Sequence, residues 1–244
     1  MIRTFFGMIT VLIMTLICGL GAVLAGAFNP YSRAVYYLGL TWARSILWVA
    51  GARLIVEGLQ NIDLKQQYVF IGNHQSHFDV LTVFSVIPMM MRFLTKKELF
   101  KIPVFGWALS AVGMIKIDRA NHEESVKSMN QALEVMRRNK ISVVVFPEGT
   151  RSPDGNLGTF KKGGFIIAIK GKIPIVPISI SGSRFVLPKH SSRATPGPIK
   201  MVIGKPINTG NYTYLNRDEL MTRTIDTIKN NIDPVYNEKT FNRK

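Results

Sequence analysis

The chain has 244 residues, 47% of them apolar, and a formal net charge of +16 from 31 basic against 15 acidic side chains. That length suits one α/β domain with a membrane-attachment segment, or at most two small units, and the apolar share is enough for a sizeable core. The single cysteine, Cys18, excludes an intramolecular disulfide; with no helix-turn-helix, zinc-finger or RNA-recognition signature, the positive charge points to anionic membrane lipids or phosphorylated small molecules and away from nucleic acid.

Residues 5–28 contain no charged side chain and are mostly apolar. They reach the roughly 20 residues needed to span a bilayer core. Ala25-Gly26-Ala27 imitates a signal-peptidase site, but the apolar run exceeds the roughly 7–15 residues of a signal h-region. Residues 35–52 are apolar with Tyr36, Tyr37, Trp42 and Trp48, and Arg33, Arg44 and Arg53 lie in or beside them. Trp, Tyr and Arg together favour the headgroup zone, so this segment is expected to lie in or under the headgroups, the competing reading being an amphipathic core helix. The arginines after the first segment predict a catalytic domain on the cytoplasmic side, with either a span or a hairpin dipping into one leaflet. The expected division is a membrane-anchoring helical segment, 1–53, and an α/β domain, 54–244.

From residue 54 the pattern alternates. Strands are predicted at 54–56, 69–71, 93–95, 114–117, 143–146, 175–180 and 201–203, and helices from 79 to 86 and at 105–112, 123–138, 165–170 and 215–232. Strands alternating with helices predict an α/β fold with a mostly parallel central sheet flanked by helices. Residues 188–198, rich in Ser, Pro and Lys, read as a surface loop.

Two polar motifs leave buried strands. After the apolar run 68–72 comes Asn73-His74-Gln75-Ser76-His77-Phe78-Asp79. If the chain turns helical around Phe78, Asp79 lies in the first helical turn, where the macrodipole and free amides favour its ionised form. It can then accept a hydrogen bond from His74, fix its tautomer and leave a general base poised near neutral pH. A metal site at His74, His77 and Asp79 is the rival, although the spacing is not that of HExxH and no further cluster completes it. The second motif, Phe146-Pro147-Glu148-Gly149-Thr150-Arg151, follows the strand at 143–146. Arg151 can offer a planar fork to a phosphate and Gly149 lets backbone approach it closely. Glu148 either contacts a substrate hydroxyl or holds Arg151.

These residues belong to four ordered blocks: His74 to Asp79; Lys96-Lys97-Glu98-Leu99 with Pro103, Gly106, Gly113 and Ile117-Asp118-Arg119; Phe146 to Arg151; and Ile175-Val176-Pro177-Ile178. The set resembles the glycerol-phosphate acyltransferase family, in its 1-acylglycerol-3-phosphate O-acyltransferase branch. The resemblance implies acyl transfer from acyl-CoA or an acyl carrier protein to lysophosphatidic acid, giving phosphatidic acid, with no cofactor beyond the acyl thioester and no metal. It implies a His74/Asp79 dyad as the catalytic pair, and Lys96 (Lys97 if the register slips by one), Arg119, Glu148, Gly149, Thr150 and Arg151 around the substrate. His77 and Gln75 occupy positions the signature leaves free. No G-x-S-x-G elbow occurs, so a direct attack by the acceptor hydroxyl is expected. The runs 87–91 and 105–107 are candidates for an acyl-chain groove. The remaining readings are another acceptor within the family (glycerol 3-phosphate or a lysophospholipid), a metal-dependent hydrolase, and a non-catalytic basic membrane-binding protein.

Overall fold

A strand buried on both faces is mostly apolar, and the few polar residues it carries must be hydrogen-bonded. This is why the three runs that read as core strands form the middle of the sheet, while their Ser142, Ser179 and Ser181 hydroxyls find partners. The computed structural model describes residues 2–103, 105–118 and 122–237. In chain order these form α1 (Ile2–Phe28), α2 (Arg33–Ala50), β1 (Ala52–Glu57), β2 (Val69–Gly72), α3 (His77–Val86), β3 (Met91–Lys96), α4 (Phe105–Ala111), β4 (Ile115–Ile117), α5 (His122–Asn139), β5 (Ser142–Val145), α6 (Gly163–Gly171), β6 (Ile175–Ser181), α7 (Ser183–Val186), β7 (Gly197–Ile203), α8 (Arg217–Asn231) and α9 (Pro234–Asn237). The strands make one seven-stranded sheet in the order β1-β7-β6-β2-β5-β3-β4. From β6 to β4 every pairing is parallel. β7 runs antiparallel to β6, and β1 follows β7.

Every residue of β2, β5 and β6 is buried. Side chains alternate between the two faces, so Phe70 and Val144 join the core beneath α2 and α3, whereas Val69, Ile71, Val143 and Val145 join the core beneath α5, α6 and α8. β7 alternates buried with partly buried residues along its whole length, and its polar positions made it look shorter in sequence. α2 ends earlier than residue 52 because Gly51, with φ 72°, caps it in the left-handed region.

α2 is not only an interfacial helix. Its buried Ala43, Ile46 and Leu47 belong to the core cluster over the sheet, while Tyr37 and Trp48 are exposed on its outer side. The core-helix reading therefore holds for one face and leaves the other for an apolar or interfacial environment. α1 packs along α2 and α4. Its 20-residue stretch Ile9–Phe28, of mean hydropathy 2.4, is long and apolar enough to cross a membrane, and most of it is not buried against the rest of the protein. Leu12, Leu16, Ile17, Leu20 and Leu24 line its exposed side. The turn joining α1 to α2 is tied to the sheet by buried Arg92, whose Nη2 donates to the Pro30 carbonyl at 2.7 Å and whose guanidinium lies 5.4 Å from the Tyr31 ring. Burial lowers the Arg92 pKa to about 10, so it remains cationic at neutral pH.

Removing residues 1–28 is expected to weaken vesicle flotation without dissolving the sheet, whose two core clusters draw their buried residues from α2 onward. The residual binding, carried by the outer face of α2 and the basic surface, should fall as salt is raised. A truncated protein that floats like the full chain at every salt concentration would show that α1 is not the anchor.

Candidate active site

β2 and β5 are parallel neighbours with Ile71 opposite Val145. Three residues further along each strand direction stand His74 and Glu148, so the register alone brings the two motifs side by side. The contact is direct: the His74 amide donates to Glu148 Oε1 at 2.8 Å, and the Ser152 amide donates back to the His74 carbonyl at 2.7 Å. Asn73 fixes the other side of the loop, its side chain exchanging two 2.8 Å hydrogen bonds with the backbone of Ile180 beyond β2.

The turn from β2 into α3 is built by a capping box. Ser76 is the N-cap, and Asp79, at the third helical position, returns a carboxylate to the cap backbone. Asp79 Oδ2 accepts from the amides of Gln75 at 2.6 Å and Ser76 at 2.7 Å, and His74 Nδ1 lies 2.8 Å from the same oxygen. An oxygen facing two backbone amides is an acceptor, so the imidazole donates from Nδ1 and its Nε2 carries the lone pair. Asp79 is fully buried and His74 only partly so, which leaves the base reachable and its orienter sealed. The imidazole stacks on Phe146, 4.4 Å between centroids. Asp79 thus lies in the first turn of its helix, as the spacing predicts. Ser76 is a further functional position, and Ser76-x-x-Asp79 ahead of an apolar run is the capping signature that marks it in sequence.

Glu148 does not hold Arg151. Its Oε1 receives the His74 amide and its Oε2 receives the Gly158 amide at 3.1 Å, so the carboxylate braces two loops. Burial pushes its pKa up, opposed by those two amides. Gly149 adopts φ 72°, a left-handed conformation that suits glycine, and its amide closes a turn onto the Phe146 carbonyl. Arg151 is half-buried, and no carboxylate pairs with it among the described residues. Its charge reaches His77, whose pKa is lowered first by burial and then by Arg151 and His74. Thr150 is exposed at the mouth of the site.

The second block is less closely joined. Lys96 ends β3 with its side chain 57% exposed and 3.8 Å from Glu98, while Lys97 pairs with Asp118. The charge partner of Lys96 in the structure is therefore a neighbouring acid and not the dyad. Arg119 lies outside the described residues. No group of three or more His, Cys, Asp or Glu that could hold a metal occurs among the described residues, so His74, His77 and Asp79 do not converge as ligands.

Of the two runs expected to line a groove, only Phe105 borders a cavity among the described residues. Ile87, Met89 and Met91 are core residues, and Trp107 points outward, 66% exposed. This apolar cavity of about 150 Å³ opens between α1, α2, α3 and α4, with Ala22, Leu38, Trp42, Phe84, Phe93 and Phe105 among its walls. Phe93 stacks on Phe146 at 6.2 Å, and Phe146 on the His74 ring, so an aromatic path joins the cavity to the dyad. The cavity needs α1 and α2 folded back on the sheet, which no local sequence pattern announces.

Fold and site together define a mostly parallel α/β protein with an apolar N-terminal helix, carrying a carboxylate-held histidine at the carboxyl edge of its sheet. The chain belongs to the acyltransferase family, whose family model, described as Acyltransferase, matches residues 53–181 and so takes in all four sequence blocks. It is 35% identical over 202 residues to the chloroplastic 1-acyl-sn-glycerol-3-phosphate acyltransferase of Arabidopsis thaliana, covering 82% of this chain and 55% of that protein. It is 32% identical over 179 residues to the 1-acyl-sn-glycerol-3-phosphate acyltransferase of Pseudomonas aeruginosa, covering 72% of this chain and 68% of that one. The crystal structure of the 1-acyl-sn-glycerophosphate (LPA) acyltransferase of Thermotoga maritima superposes with a TM-score of 0.76 at 25% identity, covering 96% of this chain and 97% of that one. The chain spans little more than half the length of some of these curated relatives, 55% and 57% for two chloroplastic ones.

Proposed function

We propose that the protein transfers a fatty acyl group from an acyl thioester, acyl-CoA or acyl carrier protein, to the sn-2 hydroxyl of 1-acylglycerol 3-phosphate, forming phosphatidic acid at the cytoplasmic side of a membrane. The observation that carries the reading is the 2.8 Å contact between His74 Nδ1 and Asp79 Oδ2, in a chain whose relatives are named for this reaction. Nε2 of His74 takes the hydroxyl proton as that oxygen attacks the thioester carbonyl. The C–O bond forms, the tetrahedral intermediate collapses with cleavage of the C–S bond, and the imidazolium returns the proton to the departing thiolate. Asp79 stabilises the imidazolium while it lasts. The cavity beside Phe93 takes the acyl chain, which brings the thioester toward the imidazole along the aromatic path. Arg151, without a carboxylate partner among the described residues, binds the acceptor phosphate.

A donor-by-acceptor matrix on purified protein in vesicles, with His74→Ala as blank, tests the reading. Preference for glycerol 3-phosphate or a lysophospholipid would replace the acceptor, and loss of activity on chelation, restored by zinc, would replace the mechanism. Within that matrix, Arg151→Ala is expected to raise KM for 1-acylglycerol 3-phosphate by roughly tenfold to a hundredfold, the scale of a lost hydrogen-bonded charge contact. Arg151→Lys should recover only part, since a point charge does not replace the planar fork. With monoacylglycerol, which lacks the phosphate, the variant should match wild type. Equal losses on both acceptors would place Arg151 in the fold or at the donor instead.

A further inference from the structure

The chain leaves α7 at Val186 and re-enters the sheet at Gly197 through residues 187–196, a stretch with Lys189, His190 and Arg193 and no acidic residue. This is the loop that sequence alone marks only as surface. It is moored at both ends. The Ser76 hydroxyl, already the cap of α3, donates to the Leu187 carbonyl at 2.7 Å, and the Thr195 amide donates to the Val186 carbonyl at 2.8 Å. The mooring ties the start of the loop to the same capping turn that holds Asp79.

Within the loop, Lys189 reaches back over the site. Its Nζ lies 3.4 Å from Thr150 Oγ1, the residue next to Arg151. Lys189 is half-buried, and no carboxylate pairs with it among the described residues. Glu148, two residues before Thr150, turns its oxygens to the amides of His74 and Gly158. Lys189 therefore sets an ammonium against the Thr150 hydroxyl, one residue from Arg151, and neither cation has a carboxylate partner among the described residues. Such an arrangement is held together best by a shared anion, and a phosphate offers enough oxygens to take an ammonium, a guanidinium and a hydroxyl at once.

We propose that Lys189 is a second phosphate-binding cation of the active site, acting with Arg151 and Thr150 on the phosphate monoester of the acceptor. The inference rests on the acyl-transfer reading above. A phosphate at this place has two sources, the acceptor or the coenzyme A part of the donor. The acceptor is favoured because the Thr150–Arg151 segment belongs to the loop that the sheet register sets beside His74, where the acceptor hydroxyl must lie.

The test uses the full chain in vesicles and compares wild type, Lys189→Ala, Lys189→Arg and Lys189→Ala combined with Arg151→Ala. KM and kcat are measured for 1-acylglycerol 3-phosphate and for monoacylglycerol, each with acyl-CoA and with an acyl-pantetheine lacking nucleotide phosphates. Lys189→Ala should raise KM for the phosphorylated acceptor about tenfold with little change in kcat. Lys189→Arg should restore most of that loss, monoacylglycerol should be used at the wild-type rate, and the double variant should lose less than the product of the single losses. A loss that appears in the KM for acyl-CoA and disappears with acyl-pantetheine would keep a phosphate at Lys189 but assign it to the donor. An unchanged KM in every arm, or equal losses with and without phosphate, would overturn the proposal. Should wild type prefer glycerol 3-phosphate, the acceptor assignment falls, yet the Lys189 comparison is read on that phosphate monoester in the same way.

Discussion

His74→Ala is expected to lower kcat by about 10²–10⁴, the range for loss of a positioned general base, with vesicle binding and fold intact. The fold should survive because the contacts that place residue 74 are made by its backbone, to Glu148 Oε1 and from the Ser152 amide, and alanine keeps both. The side chain contributes its hydrogen bond to Asp79 and its stacking on Phe146, the latter worth roughly 0.5–1.5 kcal/mol in such pairs. KM for either substrate should move little, since in the proposed mechanism the imidazole acts on a proton and not on the phosphate or acyl chain. His77→Ala provides the contrast. Its ring sits at the first position of α3 and makes no hydrogen bond to the dyad among the described contacts, so its loss should be mild. A His77→Ala variant as impaired as His74→Ala, in a protein carrying stoichiometric zinc, would sink the general-base mechanism.

Asp79→Asn should be nearly as severe in kcat and also lower stability. The asparagine carbonyl can replace Oδ2 and accept from the same three donors, but it brings no charge to stabilise an imidazolium. The amide nitrogen then takes the place of Oδ1, which is buried and has no hydrogen-bond partner among the described residues. A buried unsatisfied donor costs about 1–3 kcal/mol, and flipping the amide is worse because it faces an NH₂ group toward backbone amides. Thermal melting should therefore show a moderate loss of stability, while kcat falls about 10²–10⁴ at temperatures where the variant is folded. Wild-type kcat in folded Asp79→Asn would remove the carboxylate from the mechanism.

Elements whose signals are local were readable in advance. The strands β2, β5 and β6 announce themselves because burial on both faces favours mostly apolar runs, and the fold class follows from their alternation with helices. The position of Asp79 was readable because His74 and Asp79 lie only five residues apart, where the electrostatics of a helix start act without help from the rest of the molecule.

What sequence could not supply were the relations between distant segments. Glu148 looked like a substrate contact or a clamp on Arg151, and only the register of β2 against β5 turns it toward the His74 amide. The resemblance implies Lys96 near the substrate, and its neighbour at the end of β3 is Glu98, 3.8 Å away. α2 divides its sides between core and exterior, and the apolar cavity exists only because α1 and α2 return over α3 and α4. Lys189 lay in an anonymous loop until the Ser76–Leu187 bond placed it over Thr150. Sequence by itself determined the apolar N-terminal helix, the core strands, and the histidine–carboxylate pair, because hydrophobic periodicity and capping act over a few residues. Tertiary structure alone decided which polar groups meet across 74 or 39 positions of chain, because those neighbours are chosen by sheet register and core packing and not by spacing.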